Sequence, residues 1–76
     1  MKTKIKILKI INENPGITFQ ELLKILSFSK GNLSIHLKNL EYDNFIIRKK
    51  INEISFRLHP TKKGKDLYLQ MILSQL

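Results

Sequence analysis

The sequence predicts a mostly helical α+β domain with a β-hairpin near its C-terminal third. Two observations carry this. The apolar residues recur at a helical period up to about residue 42, then switch to alternation between Phe45 and His59. Helix-starting residues also precede the second, third and fourth helical stretches, at Thr18, Ser29 and Thr61. With 76 residues, the chain is expected to form one domain spanning 1–76.

The first helix is expected from about Thr3 to Glu13, where Ile7, Leu8, Ile10 and Ile11 form a broad apolar face. Asn14-Pro15-Gly16 ends it, because proline cannot continue the hydrogen-bond ladder and glycine supports a turn. Ile17 is a candidate for a short bridge to a sheet. Thr18 then caps a second helix, with Glu21 three residues on completing a capping box. Leu22, Leu23, Ile25 and Leu26 supply its apolar side, and it stops near Ser27. Ser29 caps a third helix, expected from Lys30 to Tyr42.

The segment from Phe45 to His59 reads as an antiparallel hairpin. With Asn52-Glu53 as its tip, Ile47, Lys49 and Ile51 share a face with Ile54, Phe56 and Leu58. The other face then carries Ile46, Arg48 and Lys50 with Ser55, Arg57 and His59. Asn-Glu is a poor two-residue turn, so a tip one residue longer is the alternative. Pro60 ends the strand and Thr61 caps a last helix, expected from Lys62 to Leu76. Gly64, in its first turn, lowers helix propensity with no reason visible in the sequence. Two helices joined by a tight turn (about 18–42), a basic hairpin (about 45–59) and a closing helix (about 62–76) describe a winged helix-turn-helix.

The charge points to the partner. Lysine and arginine number 14 against 6 acidic residues, a formal net charge of +8. That balance favours an anionic partner, nucleic acid first. The six carboxylates are scattered, and no set of nucleophile, base and orienting group is apparent, so no enzyme is expected. There is no cysteine, and the only histidines are His36 and His59; neither a metal site nor a cofactor is expected. No apolar run approaches the roughly 18 residues of a membrane span, and lysines interrupt the N-terminal isoleucines. The expectation is an intracellular, nucleoid-associated protein.

The third helix has two distinct faces. At about 100° per residue, Leu33, Leu37 and Leu40 form one stripe. Gly31, Ser34, Ile35, Lys38 and Tyr42 lie opposite, with Asn32 and Asn39 flanking and Ser29 and Lys30 at the start. A solvated surface explains lysine and asparagine well, but it explains Ile35 poorly. A helix lying in the DNA major groove uses all of them. Asparagine pairs with adenine, lysine and serine reach base edges or phosphates, and an aliphatic group covers a thymine methyl. Arg48, Lys49, Lys50 and Arg57 on the hairpin would meet phosphate or the minor groove.

In the last helix, apolar residues from Leu67 to Leu76 cover roughly 240° of arc, whereas one core needs little more than about 100°. The surplus predicts a homodimer interface built from Leu69, Ile72, Leu73 and Leu76, assisted by Ile7, Ile10 and Ile11 of the first helix. Two reading helices would then address half-sites about one DNA turn apart.

Residues 15–68 resemble the winged-helix transcriptional regulators of the ArsR/MarR type, above all in "SKGNLSIHLKNLE", the following "FI" and the late "TKKGK". The resemblance implies a dimeric regulator of double-stranded DNA that reads its site with Ser29–Asn39. The cysteine-containing metal motif of the arsenic-repressor branch is missing, so metal sensing is not implied. The long dimer-forming helices of the antibiotic-resistance branch are shortened or absent, so no small-molecule effector is implied. A protein-binding winged helix and a nonspecific architectural DNA binder are the alternatives.

Overall fold

The computed structural model describes residues 2–76. Its elements are α1 (Lys2–Glu13), β1 (Ile17–Thr18), α2 (Phe19–Ile25), α3 (Lys30–Tyr42), β2 (Ile46–Lys50), β3 (Phe56–Pro60) and α4 (Lys62–Leu73). The strands form one antiparallel sheet in the order β1-β3-β2. No helix among the described residues is long and apolar enough to cross a membrane.

The helix starts are built as the hydroxyl residues suggest. Thr18 accepts the Glu21 N–H at 3.2 Å, and the Glu21 carboxylate accepts the Thr18 N–H at 3.0 Å, closing a capping box. These hydrogen bonds from Thr18, backbone first and then hydroxyl, hold the Glu21 carboxyl below its usual range, with the charges of Arg57 and Lys24 adding to them. Ser29 and Thr61 cap α3 and α4 through the N–H groups of Asn32 and Gly64. The end of α3 is equally defined. Asn44 adopts a left-handed φ of 64°, Asn44 N–H reaches Glu41 O at 3.0 Å and Phe45 N–H reaches Leu40 O at 2.9 Å. That is a Schellman closure, with Phe45 folded back onto the core.

The core lies where α1, α2 and α3 meet the sheet. Ile7, Leu8, Ile11, Leu22, Leu33, Leu37, Ile46 and Leu58 are its fully buried side chains. This corrects the expectation for α1. Ile7 and Ile11 are enclosed within the protomer and are not free to meet a second copy; Ile10 remains only partly covered. A broad apolar arc shows that a face is buried, but not by what. In α2 the buried residues are Leu22 and Leu26, while Ile25 turns to solvent. The last helix stops at Leu73, three residues short of the expected end.

The hairpin register differs by one residue from the two-residue-tip expectation. Arg48 pairs with Leu58, Lys49 with Arg57 and Lys50 with Phe56. Ile51 N–H reaches Ser55 O at 2.9 Å, which leaves a three-residue tip, Asn52–Ile54. The physical reason is the Asn52 side chain, whose Oδ1 accepts the N–H groups of Ile54 and Ser55 at 3.0 and 2.9 Å. A slip of one turns every residue of β2 over. Ile46 is therefore in the core and Ile47 outside, the reverse of the two-residue-tip reading.

Gly64 now has a reason. A Cβ there would fall within the van der Waals shell of the Phe45 carbonyl oxygen and 3.1 Å from its carbon. The first turn of α4 rests on the α3–β2 connection: Thr61 N–H donates to Phe45 O at 3.0 Å, the Thr61 hydroxyl to Asn44 O, and Lys63 Nζ to Asp43 O at 2.9 Å.

Candidate nucleic-acid interface

The site is built from the outward face of α3 and from the wing. Leu33, Leu37 and Leu40 are all buried, which fixes the rotation of α3 about its axis. The opposite side is then committed to the outside. Lys30, Gly31, Asn32, Ile35, Lys38 and Asn39 are exposed and Ser34 is half-exposed. Ile35 is 58% exposed, so it contributes little to this protomer's core. A side chain added at Gly31 would meet nothing within 4 Å. Ser29 stands at the head of this face with its hydroxyl used as the cap. The expected reading residues are thus brought together on one surface, carried by one helix.

His36 sits at the edge of the leucine stripe. Its ring lies 6.0 Å from that of Phe28, and Nδ1 is buried without a hydrogen-bond partner. It packs under the turn between α2 and α3 and is not part of the outward face.

The wing cations divide into two sets. Lys49, Lys50 and Arg57 are exposed. Arg57 is also tethered, donating from Nη1 to Gly16 O at 3.0 Å, and so braces the wing against the turn before β1. Arg48 departs from its expected place. The register puts it on the inner face of β2 with Leu58 and Phe56. Its Nε lies 3.1 Å from Glu41 Oε1 of α3, and its guanidinium stacks 4.6 Å over the Phe56 ring. The Nε–H is not aimed well enough at the carboxylate to count as a hydrogen bond, so the contact is an ion pair. Phe56 in turn packs against Phe19 at 6.1 Å. Arg48 thereby links α3 to the wing. Glu41 and Phe56 were missed as partners because their meeting depends on a one-residue choice of register.

On the far side, α4 packs on α1, and Tyr68 donates to Glu13 Oε2 at 3.0 Å. Partial burial, then this hydrogen bond and the carboxylate charge, push the Tyr68 phenol above its usual range. Leu69 and Leu73 lie exposed on α4, with Leu73 65% exposed, and Leu76 is exposed beyond its end. Ile72 is half-buried.

Comparison with known proteins gives this geometry a family. Residues 2–47 match the model described as winged helix-turn-helix DNA-binding. No curated protein matches the chain. Among solved structures, it is similar to a MarR family transcriptional regulator from Listeria monocytogenes complexed with 26mer DNA, at 36% identity and a TM-score of 0.88. That match covers 97% of this chain and 51% of the other. A SlyA-like transcription regulator from the same organism is 37% identical, with a TM-score of 0.87 and coverage of 97% and 51%. A MarR protein from Peptoclostridium difficile is 27% identical, with a TM-score of 0.89 and coverage of 99% and 50%. The chain spans about half the length of these structural relatives. Taken with the architecture, the match over more than half of its residues means that the chain belongs to the winged helix-turn-helix DNA-binding family, in its MarR-like form.

Proposed function

We propose that the chain, acting as one winged-helix unit, is a sequence-specific, double-stranded DNA-binding regulator of transcription that works inside the cell at the nucleoid. The observation that carries the reading is the outward face of α3. An exposed Ile35 and an open Gly31 stand among Asn32, Lys38 and Asn39, on a helix whose rotation the core fixes. Polar residues alone would suit water, but an exposed aliphatic beside amide side chains suits a base-pair edge that carries a methyl group. Lys38, Lys49, Lys50 and Arg57 supply phosphate contacts, while Asn32, Ser34, Ile35 and Asn39 supply preference. A relative of similar fold is complexed with DNA, which supports the same partner here.

The functional form is a homodimer. Its interface centres on Leu69 and Leu73, one turn apart on α4, and on Leu76 just beyond the helix, with Ile72 and Ile10 at the margin. Two copies would set two α3 helices against half-sites about one DNA turn apart. Selection of bound duplexes from a random pool at moderate salt tests partner and symmetry together. The expected result is an enriched palindrome that Lys50→Ala binds more weakly throughout, whereas Ile35→Ala changes preference at a T-containing position. A pool with no enriched sequence would leave only nonspecific binding.

A further inference from the structure

The open edge of the sheet is a surface that the proposed function leaves without a partner. With the strand order β1-β3-β2, one side of β2 pairs with β3 and the other pairs with nothing among the described residues. The ladder fixes which groups that side presents. Ile51 N–H donates to Ser55 O, so those two form a hydrogen-bonded pair. By alternation, Lys49 with Arg57 and Ile47 with His59 do the same. Arg48 and Lys50 fall between these pairs and turn their N–H and C=O groups to the open edge. The neighbouring strand agrees: Leu58, opposite Arg48, accepts the Gly16 N–H on the side of β1.

The side chains along this edge suit neither water alone nor phosphate alone. On the outer face of β2, Ile47 and Ile51 are 43% and 48% exposed, on either side of exposed Lys49. Lys50 is exposed on the opposite face, while Arg48 is engaged by Glu41. Phosphate oxygens accept hydrogen bonds and donate none, so they match the N–H groups of the edge and leave its C=O groups unmatched. A polypeptide backbone matches both. Charge disfavours a second copy of β2 as the occupant, because antiparallel self-pairing sets lysine and arginine against lysine and arginine. The complement is a strand of opposite sign.

We propose that β2 receives an extended acidic segment of another protein as a further, antiparallel strand. Apolar residues of that segment lie against Ile47 and Ile51, and its carboxylates against Lys49 and Lys50. In the new ladder Arg48 and Lys50 form the hydrogen-bonded pairs. Ile47, Lys49 and Ile51 then take the non-hydrogen-bonded positions, where facing side chains approach closest. Read along the partner, the pattern is apolar, acidic, acidic, small polar, apolar. Lys49 and Lys50 are also phosphate contacts of the proposed function, so strand and duplex compete for them. The competition rests on the DNA-binding reading; the strand addition does not.

The probe is a blocked, fluorescently labelled peptide, Thr-Ile-Glu-Glu-Thr-Ile-Thr, titrated with the full chain at low salt. Anisotropy should show saturable binding, and a shuffled peptide of the same composition should bind about fivefold more weakly. The bound peptide should slow hydrogen exchange at the Arg48 and Lys50 N–H groups. Lys49→Glu should weaken binding about tenfold, and changing the peptide glutamate opposite it to lysine should restore it. The proposal is overturned if the shuffled peptide binds as tightly, or if exchange at Arg48 and Lys50 is unchanged in the complex, since either result means simple attraction to a basic surface. A peptide that does not bind overturns it as well. The peptide should also displace the selected duplex. Binding of both at once defeats the competition and leaves the strand addition standing. Binding of peptide by a chain that takes up no duplex defeats the DNA-binding reading alone.

Discussion

Helices α3 and α4 begin in nearly the same way, and their beginnings serve different ends. Each opens on a hydroxyl cap, follows with lysine and places a glycine in the first turn: Ser29-Lys30-Gly31 and Thr61-Lys62-Lys63-Gly64. Gly64 is buried with the Phe45 carbonyl where its side chain would be, while Gly31 faces open space. One glycine is a requirement of folding. The other lowers helix propensity and has no neighbour inside the protomer that requires it. The same local code thus marks a packing joint at one helix and an open, exposed face at the other, and only the three-dimensional neighbours tell them apart.

The contrast can be broken by substitution. Gly64→Ala has the largest expected effect. Overpacking against backbone should cost about 1–3 kcal/mol, read as a lower midpoint of chemical unfolding. An unmoved midpoint would mean that α4 slides off the joint at no cost. The caps come next. Ser29→Ala should cost about 1 kcal/mol, and Thr61→Ala more, because Thr61 also donates to Asn44 O. Equal losses would show that the second hydrogen bond contributes nothing. Gly31→Ala should go the other way, raising stability by about 0.5–1 kcal/mol while weakening binding to the selected duplex. A gain in stability with undiminished binding would remove the case for close approach at that point.

The smallest effect is that of pH on the start of α2. The Glu21 carboxyl is held below its usual value of 4.5 in the folded state. The unfolded chain therefore binds the proton more readily than the folded one as acid is added. The capping contribution is complete above that value and fades as pH falls through the lower, folded one. Glu21→Gln should flatten this acid limb of the unfolding midpoint, leaving the difference between α3 and α4 as it was.

Much of this was legible in the chain. The bounds of α3 follow from Ser29 and from the Leu33, Leu37 and Leu40 stripe, because a cap and a helical period are local signals. The exposed face of α3 follows from the same stripe by subtraction. What escaped depended on partners distant in sequence. Ile7 and Ile11 were equally apolar whether a core or a second copy covered them. The register of the wing turned on whether Asn52 used its side chain to lengthen the tip, and that choice moved Arg48 from the outer face to the inner one. Gly64 looked like a flaw until Phe45 was beside it.

The joint at Asp43–Phe45 has a mechanical consequence. It sits between the two elements that would touch DNA, closed onto α3 by the Asn44 and Phe45 N–H groups and held from the other side by Thr61 and Lys63 at the head of α4. The tail of α4 carries the exposed leucines. The helix thus has one end fastened at the turn between α3 and the wing and the other end open to solvent, so whatever covers those leucines is joined to both elements through a single helix.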